Sequence, residues 1–145
     1  MVGFGRETEM LLQKLVRGPR ELDVISIFGM PGLGKTTLAK KLYDHEAISN
    51  RFDVRLWCCS SQSYDDRALL FQLLHHTREL DDSTNIMSND GLAEMLYKSL
   101  KGKRYLIVVD DVWSSEAWDD IKRPFPDDCK GSRIILTTRL ESIAT

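Results

Sequence analysis

The stretch that decides the fold runs Val24-Ile25-Ser26-Ile27-Phe28-Gly29-Met30-Pro31-Gly32-Leu33-Gly34-Lys35-Thr36-Thr37. Val24–Phe28 is short, mostly apolar and rich in β-branched side chains, which predicts a buried strand. From Lys35 to Tyr43 the apolar spacing turns helical. The residues between fit the pattern Gly-x-x-x-x-Gly-Lys-Ser/Thr, in the strand–helix setting that the pattern requires. A polyphosphate needs backbone N–H groups converging on its oxygens, and side chains at the glycine positions would block that approach. The helix start adds unpaired amides and the positive end of its dipole. Lys35 can bridge β- and γ-phosphates, and the Thr36 hydroxyl can ligate Mg²⁺. Gly29, Met30, Pro31, Gly32, Leu33, Gly34, Lys35, Thr36 and Thr37 are therefore the candidate phosphate-binding residues. A glycine-rich turn matching by chance in a chain this long is on the order of one in a hundred or less.

Outward from this loop, Met10, Leu11, Leu12 and Leu15 follow a helical period that Arg17-Gly18-Pro19-Arg20 breaks. Val54–Cys59 reads as a second strand, and Ala68, Leu69, Leu70, Leu73 and Leu74 as a helix capped by Asp65 or Asp66. Glu79–Asp90 is acidic and poor in apolar anchors, which predicts a surface loop. Leu92, Met95, Leu96 and Leu100 form the stripe of another helix, with Gly102 as its left-handed stop. Leu106–Val109 and Arg133–Thr138 read as the third and fourth strands, with Pro124-Phe125-Pro126 preventing helix between them. Strands alternating with helices predict a parallel sheet covered on both faces, with ligands at the carboxyl ends of its strands.

Two of those ends carry further chemistry. Leu106-Ile107-Val108-Val109 runs into Asp110-Asp111. Asp110 suits a metal-bound water beside Thr36, and Asp111 is placed to orient or deprotonate a water attacking the γ-phosphate. An Asp-rich turn is the alternative reading. The fourth strand ends in Arg139, either a sensor of the γ-phosphate or a solvated residue opening a helix. Asp110 lies 75 positions after Lys35, and a strand–helix unit plus a further helix fills the gap. The Val54–Cys59 strand is accordingly expected outside the Asp110 strand. This resembles the P-loop ATPases with a strand inserted between their two nucleotide strands. The expected fold is a three-layer α/β P-loop NTPase with a parallel sheet, of the additional-strand (STAND/AP-ATPase) type.

Composition agrees with one globular domain. The chain has 145 residues, 42% apolar, where roughly 100–200 residues make a domain. A chain this size buries about 68–70% of its unfolded surface. Twenty Lys and Arg against 22 Asp and Glu give a net charge of −2, without the footprint of a dedicated nucleic-acid binder. The longest strongly apolar run is Leu106–Val109, against the roughly 20 residues that span a bilayer. No leader sequence is evident. Cys58, Cys59 and Cys129 make neither a disulfide framework nor a zinc set, and predict buried free thiols in a reduced compartment. His45, His75 and His76 have no partners at metal-ligand spacing.

Five ordered segments resemble the nucleotide-binding subdomain of the plant NB-ARC family, found in intracellular disease-resistance receptors. They are the Gly29–Thr37 loop, Phe52-Asp53-Val54-Arg55-Leu56-Trp57, Ser61-Gln62-Ser63-Tyr64, Leu106–Trp113, and Gly131-Ser132-Arg133-Ile134-Ile135-Leu136-Thr137-Thr138-Arg139. Val2-Gly3-Phe4 resembles the family's leading motif, and Gly5-Arg6-Glu7 also resembles part of it, which leaves two registers open. Trp113 is similar to the coiled-coil class of these receptors. The resemblance implies a cytoplasmic ADP/ATP switch with at most slow hydrolysis. It further implies that Lys35 and the loop bind phosphates, Thr36 and Asp110 serve Mg²⁺, Asp111 supports hydrolysis, Arg139 senses the γ-phosphate and Val2 approaches adenine. Partners implied for a full-length parent are its other domains and homo- or hetero-oligomers, without direct nucleic-acid contact. The chain stops six residues beyond Arg139, so residues 1–145 are expected to be a partial subdomain lacking the last strand and the helical and winged-helix subdomains. A P-loop phosphotransferase or ATPase unrelated to immunity, and a fragment that binds nothing, are the competing readings.

Overall fold

A computed structural model of the chain describes residues 4–28, 32–60, 66–77 and 80–138. In chain order the elements are α1 (Phe4–Arg17), β1 (Asp23–Ile27), α2 (Gly32–Tyr43), α3 (Glu46–Arg51), β2 (Val54–Cys59), α4 (Asp66–His75), α5 (Asp82–Asn85), α6 (Asn89–Leu100), β3 (Tyr105–Val112), α7 (Ser115–Ile121) and β4 (Arg133–Thr138). The four strands are parallel and ordered β1-β4-β3-β2. The expected placement of β2 outside β3 is therefore observed.

Side-chain alternation divides the core into two layers. Leu106 and Val108 of β3 and Ile135 of β4 face Leu15 of α1, Leu38, Ala39 and Leu42 of α2, and Ile48 of α3. Tyr105, Ile107 and Val109 of β3 and Ile134 and Leu136 of β4 face Leu69 and Leu73 of α4, Leu92 and Leu96 of α6, and Ile121 of α7. Both faces of β3 are dry, which is why its sequence reads as a continuous apolar run. Each fully buried Leu or Ile contributes about 1.5–3 kcal/mol. Met10 of α1, expected in the apolar stripe, is instead exposed.

Of the segment read as a loop, Glu79 lies outside the described residues, and Leu80–Asp90 is not featureless. Asp81 caps α5 by accepting from the Ser83 and Thr84 amides, and Ser88 caps α6 by accepting from the Gly91 amide. Thr84 is buried there, and Arg67 of α4 donates to the Asn85 and Met87 carbonyls at 2.7 and 2.6 Å. The caps and the bonds from α4 hold a polar segment that has little apolar pattern of its own. Helices α3 and α7 likewise rest on local caps: the Ala47 amide donates to His45 Nδ1 and the Ala117 amide to Ser114 Oγ. The helix of α4 begins at Asp66; Asp65 lies outside the described residues. Gly102 has φ +77°, the left-handed stop expected after α6.

The outer edge of β2 is covered by side chains. The Cys59 amide donates to Gln72 Oε1, the Trp57 carbonyl accepts from His76 Nε2, and the Arg55 carbonyl accepts from the Tyr43 hydroxyl. Such cover blunts a strand edge against unwanted pairing. The three cysteines are free, but only Cys58 is fully buried; Cys129 is exposed, contrary to expectation, in a left-handed turn with φ +54°. Burial pushes the Cys58 thiol far above its usual pKa, so it is inert packing.

Candidate functional site

Three elements bring the candidate residues to the carboxyl end of the sheet. Helix α2 follows β1 and starts at Gly32, three residues earlier than its apolar spacing suggests. Lys35 sits in its first turn, 2% exposed, and its Nζ donates to the Thr138 carbonyl at the end of β4 over 3.0 Å. On the same turn, Thr36 Oγ1 donates to Asp110, lying 3.0 Å from Oδ2 and 3.2 Å from Oδ1. Residues 74 positions apart in sequence are thereby held side by side. Asp110 is itself 6% exposed.

The end of β3 departs from a regular ladder. Val109 pairs with Leu136, yet Val112 pairs with Thr138, so Asp110 and Asp111 together face Thr137 alone. This is a β-bulge, which bends a strand and re-aims its side chains. Asp111 takes the left-handed conformation at φ 59°, a region that Asp tolerates better than most side chains. Its amide donates to Thr137 Oγ1 at 2.7 Å, and the Thr137 hydroxyl donates in turn to Asp110 Oδ1. Beyond the bulge, Thr138 Oγ1 donates to the Val112 carbonyl at 2.8 Å. The strand expected to end at Val109 therefore continues through both aspartates.

Lys35, Thr36, Asp110 and Asp111 are thus assembled at one end of the sheet, and Gly32, Leu33, Gly34 and Thr37 belong to the opening of α2. Val2, Gly29, Met30, Pro31 and Arg139 lie outside the described residues. Thr137 was not among the expected site residues. Its only signal in the sequence is a polar pair, Thr137-Thr138, closing an apolar strand.

The donor set fits a hard cation held jointly with phosphate. A hydroxyl and a carboxylate stand together, and both are oxygen ligands. Among the described residues no cluster of three His, Cys, Asp or Glu side chains is placed to hold a metal. Mg²⁺ is characteristically bound this way, through one or two carboxylates plus substrate phosphates rather than by an all-protein cage. Lys35 and the amides at the head of α2 supply positive charge where an anion would rest.

Residues 5–145 match the NB-ARC domain. The chain belongs to the NB-ARC family. It is 47% identical over 144 residues to the late blight resistance protein homolog R1B-19 of Solanum demissum, covering 99% of this chain and 11% of that protein. It is 48% identical over 145 residues to homolog R1B-23 of the same plant, again covering 99% of this chain and 11% of the relative. The NB-ARC chain therefore spans about a tenth of the length of these two relatives. As an NB-ARC domain it is a nucleotide-binding module of the kind these resistance protein homologues carry. Among solved structures, the Aeropyrum pernix ORC2 protein in its ADPNP–ADP complexes superposes with a TM-score of 0.67 at 17% identity, covering 99% of this chain and 42% of that one. Cdc6p from Pyrobaculum aerophilum gives 0.63 at 11% identity, covering 98% and 40%. These two likenesses concern the fold alone. Among the described residues, no helix is long and apolar enough to cross a membrane.

Proposed function

We propose that this NB-ARC chain binds ADP and ATP with Mg²⁺ and serves as the nucleotide switch of a plant disease-resistance receptor. The observation that carries the proposal is the Thr36–Asp110 pair, 3.0 Å apart, beside the buried Lys35 at the head of a helix. In this reading Lys35 and residues Gly29–Thr37 bind the phosphates. Thr36 and Asp110 hold the cation, which when bound neutralises phosphate charge. Asp111 orients a water for slow hydrolysis, Arg139 senses the γ-phosphate, and Val2 approaches the base. The two nucleotide forms favour different arrangements of the parent's remaining domains, in the cytoplasm, with oligomerisation following ATP.

Hydrolysis is slow in this reading because transition-state arginines are worth about 10³–10⁵ in rate for related NTPases, and none is among the assigned residues beyond the sensor. The test is a thermal-shift titration of the chain with ADP and ATP in Mg²⁺. At 100 times its dissociation constant, a nucleotide stabilises the folded state by about 2.7 kcal/mol, and the melting temperature rises. A folded chain whose melting temperature ignores both nucleotides overturns the proposal.

A further inference from the structure

We infer that Thr137 is a positioning residue of the nucleotide site, whose single hydroxyl sets both aspartates and through Asp110 the geometry offered to the cation. The inference rests on the nucleotide reading above and adds a residue to it. A threonine hydroxyl has one proton and two lone pairs. At Thr137 the proton is committed to Asp110 Oδ1, and a lone pair takes the Asp111 amide at 2.7 Å. Thr137 is 1% exposed, and its bond to Asp110 is buried while that from the Asp111 amide is partly so.

The bulge creates the need for this arrangement. With two β3 residues opposite one β4 residue, the Asp111 amide finds a side-chain acceptor on β4 instead of a ladder carbonyl. An apolar residue at position 137 would satisfy neither the amide nor the carboxylate. Asp110 is gripped from two sides, by Thr36 on α2 and by Thr137 on β4, and these two hydroxyls fix the plane of its carboxylate. Mg²⁺ demands near-ideal octahedral geometry, so a carboxylate free to turn is a poorer partner. Outer partners that orient a metal-binding group typically contribute about 10–100-fold in metal affinity.

The experiment is calorimetry with a non-hydrolysable ATP analogue, in excess Mg²⁺ and in EDTA, on the parent chain and on Thr137→Val and Thr137→Ser. The expected result is that Thr137→Val loses about tenfold of the Mg²⁺-dependent gain in affinity. Its affinity in EDTA stays within about twofold of the parent's, and Thr137→Ser, which keeps the hydroxyl, retains the gain. A valine variant that keeps the full gain overturns the inference. So does one that weakens binding equally with and without Mg²⁺, since that is the signature of a purely structural role. If the valine variant does not melt cooperatively, the serine variant decides: retention of the gain supports the inference and its loss overturns it. A parent that binds the analogue without any Mg²⁺ gain overturns this inference and the cation assignment to Thr36 and Asp110, while the phosphate assignment to Lys35 and its loop stands. A parent that binds in neither condition overturns the nucleotide reading and this inference with it.

Discussion

At the amino end of the sheet Arg133 is completely buried; at the carboxyl end Lys35 is nearly so. The arginine donates to the carbonyls of Lys14, Pro19, Glu21 and Ser132, at 3.3, 2.6, 3.1 and 2.9 Å. One of these belongs to the last turn of α1, where carbonyls lack helical partners and positive charge is favoured. Its planar fork thus ties α1, the α1–β1 connection and β4 together with acceptors that are all fixed backbone. Lys35 also meets a carbonyl, that of Thr138, but its neighbours are a hydroxyl and a carboxylate at the head of a helix. The first end satisfies a cation within the chain. The second gathers groups that have chemistry to offer a ligand. Burial pulls the Arg133 pKa below the usual arginine value, only partly offset by Asp23. Arginine keeps its charge even so, which suits it to a permanent staple.

The comparison breaks most visibly if the staple is dispensable. Arg133→Met should destabilise the chain by about 3–5 kcal/mol, because it strands one buried and three partly buried carbonyl acceptors at once. Urea unfolding measures this, and a loss under about 1 kcal/mol would refute the staple. At the other end, Lys35→Ala should lower nucleotide affinity at least about 100-fold, or about 2.7 kcal/mol, while the chain still melts cooperatively. Calorimetry checks it, and unchanged affinity would remove the phosphate assignment.

Gly18→Ala sharpens the contrast. A Cβ there would stand 2.7 Å from both Arg133 Nη2 and the Lys14 carbonyl, and the latter is backbone. The expected cost is about 1–3 kcal/mol of stability with nucleotide affinity unaltered. Reduced affinity in a folded variant would show that the two ends are coupled. The smallest effect belongs to His76, on the β2 edge and at neither end. Burial lowers its pKa below the ordinary 6.5, outweighing the opposing Trp57 carbonyl bond. The unfolded chain then takes up more protons as pH falls through that value, so the contribution is present above it and lost toward the depressed folded pKa. His76→Gln should flatten the stability profile slightly between neutral and mildly acidic pH. An identical slope in both proteins would assign the acid sensitivity elsewhere.

That Lys35, Thr36 and Asp110, the residues of the proposed nucleotide site, meet at one end of the sheet was legible in the chain because each belongs to a short motif whose residue types answer to one chemical task. The outer place of β2 was legible too, since the long interval before Asp110 leaves room for a whole strand–helix unit. Thr137 was not, because nothing local distinguishes a threonine that fills a strand from one that holds two aspartates. Arg133 entered only as the first residue of a strand, Asp81 and Ser88 only as part of a polar segment, and Ser114 not at all. Their partners come from local turns or from segments more than 100 positions away, as Lys14, Pro19 and Glu21 do for Arg133.

What the sequence determined by itself is the periodic and the contiguous: four strands, the helices with clear apolar stripes, and the loop with its lysine. Only the tertiary structure decided the bulge after Val109, the sharing of one hydroxyl between Asp110 and Asp111, and the carbonyl nest around Arg133. The physical reason is that hydrophobic burial acts on averages over many residues and leaves a pattern along the chain. A hydrogen bond needs two particular atoms within about 3 Å, and that distance exists only once distant segments have been packed together.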